Sequence, residues 1–316
     1  MNTMLLDKGM LGCLIAQALV FYSCQEPTPI TEYPSFNTSY KDSILFSSDR
    51  ESNQGTNKLF MMYKDGSGMR GLTEAGYVLG FCWSPGKWKI AYVHEENGVR
   101  WPRQDLNVMD CNGLNSVQIS VAGELVDGGL SWSPDGQSIA YIERDTVGLP
   151  TTSYGLTRVK TIRPDGTGPR AVTPWLYRAY ETAWTHDSKH VIFAQEGKFF
   201  KVSKDSSEAT LFLDNCYTPR ISPDGEYLGF NTGSFSGAGT IHLLSLRDGG
   251  IHPIDDGYTI WDGPITWSPN SREIIYAGVR RGKNMGEIFA IEINGANFRR
   301  ITYDTLHVYR SPRWYN

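Results

Sequence analysis

Charge of one sign is what this sequence most lacks: 30 Lys and Arg face 34 Asp and Glu over 316 residues, leaving a net charge of −4. A protein that binds nucleic acid through phosphate contacts needs a basic excess or a basic stripe, so that class is excluded. Cysteine is scarce, with 5 residues at scattered spacings and no C-x-x-C pair, which argues against a disulfide framework and against a zinc knuckle. Histidine is scarcer still for a chain of this size: His94, His186, His190, His242, His252 and His307 are spread along it. His186 and His190 lack the Glu of H-E-x-x-H and straddle a turn, so no metal site is expected. Long apolar runs are almost absent. The one exception, Gly9 to Ser23, is 15 residues long, too short to span a membrane as a helix and suited to a signal h-region.

That run ends at Cys24, and Phe21-Tyr22-Ser23-Cys24 resembles a bacterial lipobox. Residues 1–23 then read as a lipoprotein signal peptide, with Cys24 as the lipidated residue. Several acyl chains would hold the mature protein to a membrane without spanning it. Residues 24–41 are rich in Pro, Thr and Ser and follow neither strand nor helix periodicity, so they read as a tether. Once the signal is removed, Cys82, Cys111 and Cys216 remain, and buried or idle thiols are expected.

What the sequence has in plenty is 33 Gly, 16 Pro, 9 Trp, 17 Tyr and 13 Phe, a mixture of turn formers and aromatics that favours many short strands. A phrase recurs: Cys82-Trp83-Ser84-Pro85-Gly86, Ser131-Trp132-Ser133-Pro134-Asp135-Gly136, Ala183-Trp184-Thr185-His186-Asp187, Arg220-Ile221-Ser222-Pro223-Asp224-Gly225 and Thr266-Trp267-Ser268-Pro269-Asn270. Each precedes a short apolar strand such as Ile139-Ala140-Tyr141-Ile142. The positions of Trp83, Trp132, Trp184, Ile221, Trp267 and Trp314 step by at most 52 and at least 37 residues, the length of a four-stranded propeller blade. Later in each repeat comes a second turn: Asp65-Gly66, Asn112-Gly113, Asp165-Gly166, Asp248-Gly249 or Asn294-Gly295. Such pairs are strong hairpin signals. The large indole suits the wedge-shaped gap between neighbouring blades.

These phrases resemble the TolB-like, WD40-like (PD40) propeller repeat, with W-S-P-D-G, then I-A-Y or I-A-F, then D-G and L-T. The resemblance covers residues 42–316 and implies an all-β, six-bladed propeller of four-stranded antiparallel blades. The first repeat starts at its second strand, Ser43 to Ser47, and Tyr309 to Trp314 supply a W-S-P-like strand with no blade of their own. The C-terminal strand is therefore expected to join the first blade and close the ring.

Tight turns fall on one side of such a ring and the longer second-to-third-strand loops on the other, where binding usually sits. Asp127, Arg178, Glu181, Tyr217, Trp261, Asp262, His307 and Arg310 lie there, shortly before each innermost strand, and form the candidate binding face. Gly66-Ser67-Gly68-Met69-Arg70-Gly71 spells G-x-G-x-x-G but lies in a hairpin with no following helix to hold a pyrophosphate. Gly136-Gln137-Ser138 is no nucleophile elbow, because it runs from turn into strand.

The resemblance implies a monomeric, lipid-anchored module of the bacterial cell envelope that binds an envelope protein or a small or oligosaccharide ligand. No catalytic residue, metal or cofactor is expected. The alternative is an enzyme or binding protein for extracellular glycans. The oligogalacturonate lyases have similar repeats, and Trp101 and Trp261 could stack on sugars.

Overall fold

The W-S-P-D-G phrase folds because its side chains replace backbone partners in a tight turn. In the third repeat Ser133 Oγ donates to Asp135 Oδ1 at 2.6 Å and accepts the Ser138 N–H at 2.9 Å. Asp135 Oδ1 accepts the Gln137 N–H at 3.0 Å, while Gly136 takes φ +74°. Blade four departs from the motif in letters only. Thr185 donates to Asp187 at 2.6 Å, and Thr185 Oγ1 accepts the His190 N–H at 3.1 Å. Ser188 there stands in the glycine position at φ +57°. That exception has a use: Ser188 Oγ accepts the Asp135 N–H of the preceding blade at 3.0 Å. Ser271 accepts the Asp224 N–H in the same way at 3.1 Å. The turns thus stitch neighbouring blades together.

The second turns use one further device. An Asp or Asn carboxyl or amide oxygen caps the N–H two residues on, as Asp65 does for Ser67 at 2.9 Å and Asp165 for Thr167 at 2.9 Å. The L-T phrase that follows is only partly strand. The fourth strand of the first blade is Arg70–Gly71, and Thr73 instead accepts the Leu59 N–H at 3.0 Å. Thr173 and Thr302 do the same for Val159 and Ile288, each at 2.9 Å. The threonine is a side-chain extension of the ladder.

These hairpins assemble into six four-stranded antiparallel blades in the computed structural model, which describes residues 42–50, 56–74, 76–86, 88–96, 103–145, 155–232, 239–254, 258–260, 264–280, 287–303 and 307–314. Blade one orders Tyr309–Trp314, Ser43–Ser48, Lys58–Tyr63 and Arg70–Gly71 from the inside outward. The C-terminal strand is the innermost one, paired antiparallel with Ser43–Ser48 through Ile44 opposite Trp314 and Ser48 opposite Tyr309. The expected closure is present. Blades two, four and five begin with Tyr77–Trp83, Ala179–Trp184 and Tyr217–Ile221. In blades three and six the innermost strand is split, into Leu125–Val126 and Ser131–Trp132, and into Tyr258–Ile260 and Thr266–Trp267.

The core lies between blades, where the sheets meet face to face. Trp267 packs with Ile241, Leu243 and Ile254 of blade five and with Ile274 and Tyr276 of its own blade. A Cβ on Gly229 would come within 3.1 Å of the Trp267 ring and 2.3 Å of Ile265, so blade five gives up a side chain there to seat its neighbour. Cys82, Cys111 and Cys216 are buried free thiols, as expected.

Two outcomes follow from the closure and the turns. Truncation after Val308 removes a whole innermost strand with buried Tyr309 and Trp314, each worth about 3–5 kcal/mol. The shortened chain should show no cooperative thermal transition in calorimetry, and an unchanged midpoint would contradict the clasp. The carboxyls of Asp65 and Asp165 are held below the usual carboxylate range, first by the hydroxyls of Ser67 and Thr167 and then by the backbone N–H groups of the same residues. A depressed folded pKa stabilises fully above the unfolded value near 4, and the gain is lost as pH falls through the folded value. The melting temperature should be level from about pH 7 to 5 and drop below about pH 4. Changing Asp65 and Asp165 to Asn should make that drop shallower.

Candidate functional site

Three residues before the indole, the innermost strand carries a repeated irregularity. The ladder shifts register between Val78 and Gly80, between Ala179 and Thr182, and between Tyr217 and Arg220. At that position Gly129, Glu181, Thr218 and Ser311 adopt φ of +62°, +33°, +55° and +47°. A bulge of this kind leaves one residue out of the ladder and re-aims its side chain. Left-handed φ at three non-glycine residues is local strain, and strain of this kind gathers at ligand clamps.

Two residues past this position the innermost strands meet around the axis. A cavity of about 420 Å³ is enclosed by the ends of all six innermost strands. The residue before each indole position lines it: Cys82, Ser131, Ala183, Arg220, Thr266 and Arg313. Five indoles and Ile221 form the next layer, and Pro85, Pro134 and His186, all exposed, stand at its rim. The cavity therefore reaches the surface on the side of the W-S-P turns.

Its charges are unequal. Arg220 Nη2 donates to Glu181 Oε2 at 2.7 Å, and its Nη1 donates to the backbone oxygens of Pro219 at 2.7 Å and Thr182 at 3.2 Å. Arg313 has no such partner. Its Nη1 donates to the backbone oxygens of Pro312 at 3.1 Å and Ser311 at 3.4 Å, and its guanidinium lies 5.6 Å from the Phe81 ring centre. Among the described residues no carboxylate pairs with Arg313, which is only 8% exposed. Burial, and after it the repulsion of Arg220, pulls the Arg313 guanidinium down to about 9, so it is charged at neutral pH. Burial pushes the neighbouring Cys82 thiol up to about 12, which keeps it protonated and a poor nucleophile.

The indoles divide as well. Trp83 and Trp267 each donate Nε1–H to the backbone of the preceding blade, to Arg313 O at 3.4 Å and Arg220 O at 3.0 Å. Trp132 donates to Gly136 O of its own turn at 3.1 Å. Trp184 and Trp314 also line the cavity, and their buried Nε1–H groups have no acceptor among the described residues.

Of the residues expected to form a binding face, Glu181 alone joins this cavity, through Arg220. Asp127 pairs with Arg144, and its N–H donates to Ile142 O at 2.8 Å. Tyr217 stacks on Tyr180 with ring centres 6.4 Å apart. Arg178, His307 and Arg310 precede or begin innermost strands at the loop-rich end, away from the turn-side mouth. Cys24, Trp101, Trp261 and Asp262 lie outside the described residues. Arg220 and Arg313 escaped the sequence reading because each sits inside a repeat phrase that looked purely structural. A signal existed: the residue before the indole position is small in four repeats and Arg in the other two. Among the described residues no three His, Cys, Asp or Glu side chains come together.

No protein-family profile matches the chain, and no curated protein matches it in sequence. Solved structures share its fold. TolB from Acinetobacter baumannii superposes with a TM-score of 0.69 at 18% identity, over 87% of this chain and 67% of that one. A chain of a nidogen/laminin complex gives 0.64 at 10% identity, covering 87% and 98%. An oligogalacturonate lyase from Vibrio parahaemolyticus gives 0.58 at 13%, covering 84% and 77%.

Glu181→Gln keeps the shape of the bulge but leaves two guanidiniums on the axis with no carboxylate. The Glu181–Arg220 pair is the more enclosed, with side chains 18% and 12% exposed against 24% and 31% for Asp127–Arg144, so Glu181→Gln should cost more than Asp127→Asn, whose loss should not exceed about 1 kcal/mol. Urea unfolding of the two variants measures the difference, and equal losses would show that the axial pair is not special.

Proposed function

We propose, from the TolB-like propeller fold, that the chain is a binding module of the bacterial cell envelope, tethered by a lipidated Cys24 and presenting its propeller to a protein or ligand. The observation that carries the reading is the chemistry of the axial cavity. Its Arg220 is matched by Glu181 and its thiol is held protonated, and the cationic and aromatic groups beside them suit holding a ligand. The likeness to TolB and to a chain of a nidogen/laminin complex supports a partner-binding role. A rigid scaffold with loops gathered on one end offers a second surface for that purpose.

The likeness to an oligogalacturonate lyase favours a second reading, an enzyme acting on acidic glycans. The two separate readily. The full-length protein should fractionate with membranes and Cys24→Ala should be recovered soluble. Membrane retention of that variant would contradict the anchor. Incubation with oligogalacturonides, with and without a divalent metal ion, should leave their chain length unchanged. Shortened products would overturn the binding reading in favour of the enzyme. A photo-crosslinking side chain placed at Arg178 should capture an envelope protein in cells, and one placed at Asp65 in a tight turn should not.

A further inference from the structure

Among the described residues the axial cavity is lined by two arginines, Arg220 and Arg313, with the single carboxylate of Glu181 beside them. Arg220 is matched by Glu181 at 2.7 Å, so the surplus belongs to Arg313. Desolvating a guanidinium without a counter-charge is unfavourable, and the six-fold geometry makes the penalty avoidable. Four of the six equivalent positions hold Cys82, Ser131, Ala183 and Thr266, none of which is charged at neutral pH. An arginine here, aimed by a strained bulge at Ser311, is the mark of a site built for something that arrives.

We propose that the axial cavity binds a small monocarboxylate with a flat ring as its body, the carboxylate docking on Arg313 and the ring lying against the indole layer. The charge count selects a monoanion, because one negative charge brings the cavity to neutrality and two would reverse its sign. The planar fork of Arg313 suits a carboxylate, having spent only Nη1 on backbone oxygens. Trp132, the half-buried one of the five lining indoles, supplies a surface for an aromatic ring, the buried Trp83, Trp184, Trp267 and Trp314 line the cavity between the blades, and 420 Å³ falls within the range of small-molecule sites. Two more donors that line the cavity, the Trp184 and Trp314 indoles of blades four and one, still lack an acceptor among the described residues. Entry is from the turn side, past exposed Pro85, Pro134 and His186.

This inference names the ligand of the module proposed above and rests on that reading. Its failure is separable, because membrane attachment and oligogalacturonide processing are read by different assays. The test is calorimetric titration of the detergent-solubilised full chain with benzoate, with its neutral isostere benzamide and with inorganic phosphate, while indole fluorescence is followed. Benzoate should bind and change the emission, and benzamide and phosphate should bind at least about tenfold more weakly. Arg313→Met should weaken benzoate by about ten- to a hundredfold, the weight of a charge-assisted hydrogen bond, and Arg313→Lys should fall between the two. If benzamide matches benzoate, the charge has no role and the proposal fails. If phosphate binds more tightly, the monocarboxylate assignment is wrong. Should Arg313→Met not fold, the three wild-type titrations decide the matter alone.

Discussion

The ring depends on one packing constraint: a large side chain at the end of each innermost strand must fill the gap between its own blade and the preceding one. Trp267 shows how it is met. Its ring lies among blade-five residues, its N–H reaches Arg220 O at 3.0 Å, and Gly229 has no side chain where the ring sits. Six such wedges fix the angle between blades, and the angle leaves no gap only if the last strand returns to the first blade. Ile44 opposite Trp314 completes that circuit. Closure and wedge packing are one requirement seen along and across the chain. Removing the terminal strand would open a sheet edge and unseat an indole together.

The same constraint creates the site. Strands that converge on an axis leave a cavity there, and its size follows from how closely they approach. Gly80 and Gly128 come near contact, and a Cβ on Gly129 would sit 3.0 Å from the Glu181 nitrogen. Close approach on that side of the ring is balanced by longer residues opposite it, Arg220 and Arg313. The bulge that precedes each indole then decides which side chains turn inward. At Glu181 it supplies a counter-charge, and at Ser311 a backbone oxygen for the arginine two residues on. The pairing of Glu181 with one arginine but not the other is what gives the axis its sign.

Most of the fold was legible in the sequence because its determinants are local and repeated. W-S-P-D-G, D-G and L-T each encode hydrogen bonds within a few residues or within one blade, so repetition alone exposed them, together with the missing first strand and its C-terminal replacement. Blade four was legible despite its altered letters, since Thr185 and Asp187 do the work of Ser and Asp. The site was much less so. The expected face followed loop length, which marks variability. The cavity instead arises where six distant strands meet, and no spacing rule links Glu181 to Arg220, 39 residues on. Of the six expected residues that are described, Glu181 contacts the cavity's Arg220 from a bulge position. That bulge has a faint sequence trace, the glycines at 80 and 129, which are legible only once the repeats are aligned on their indoles.

If the propeller axis takes up a carboxylate as proposed, a crystal structure of the full chain grown with benzoate is the sharpest measurement of it. The carboxylate should lie within hydrogen-bond distance of the Arg313 guanidinium, with its ring against the indole layer. A carboxylate bound elsewhere, with only water and protein around Arg313, would rule the site out.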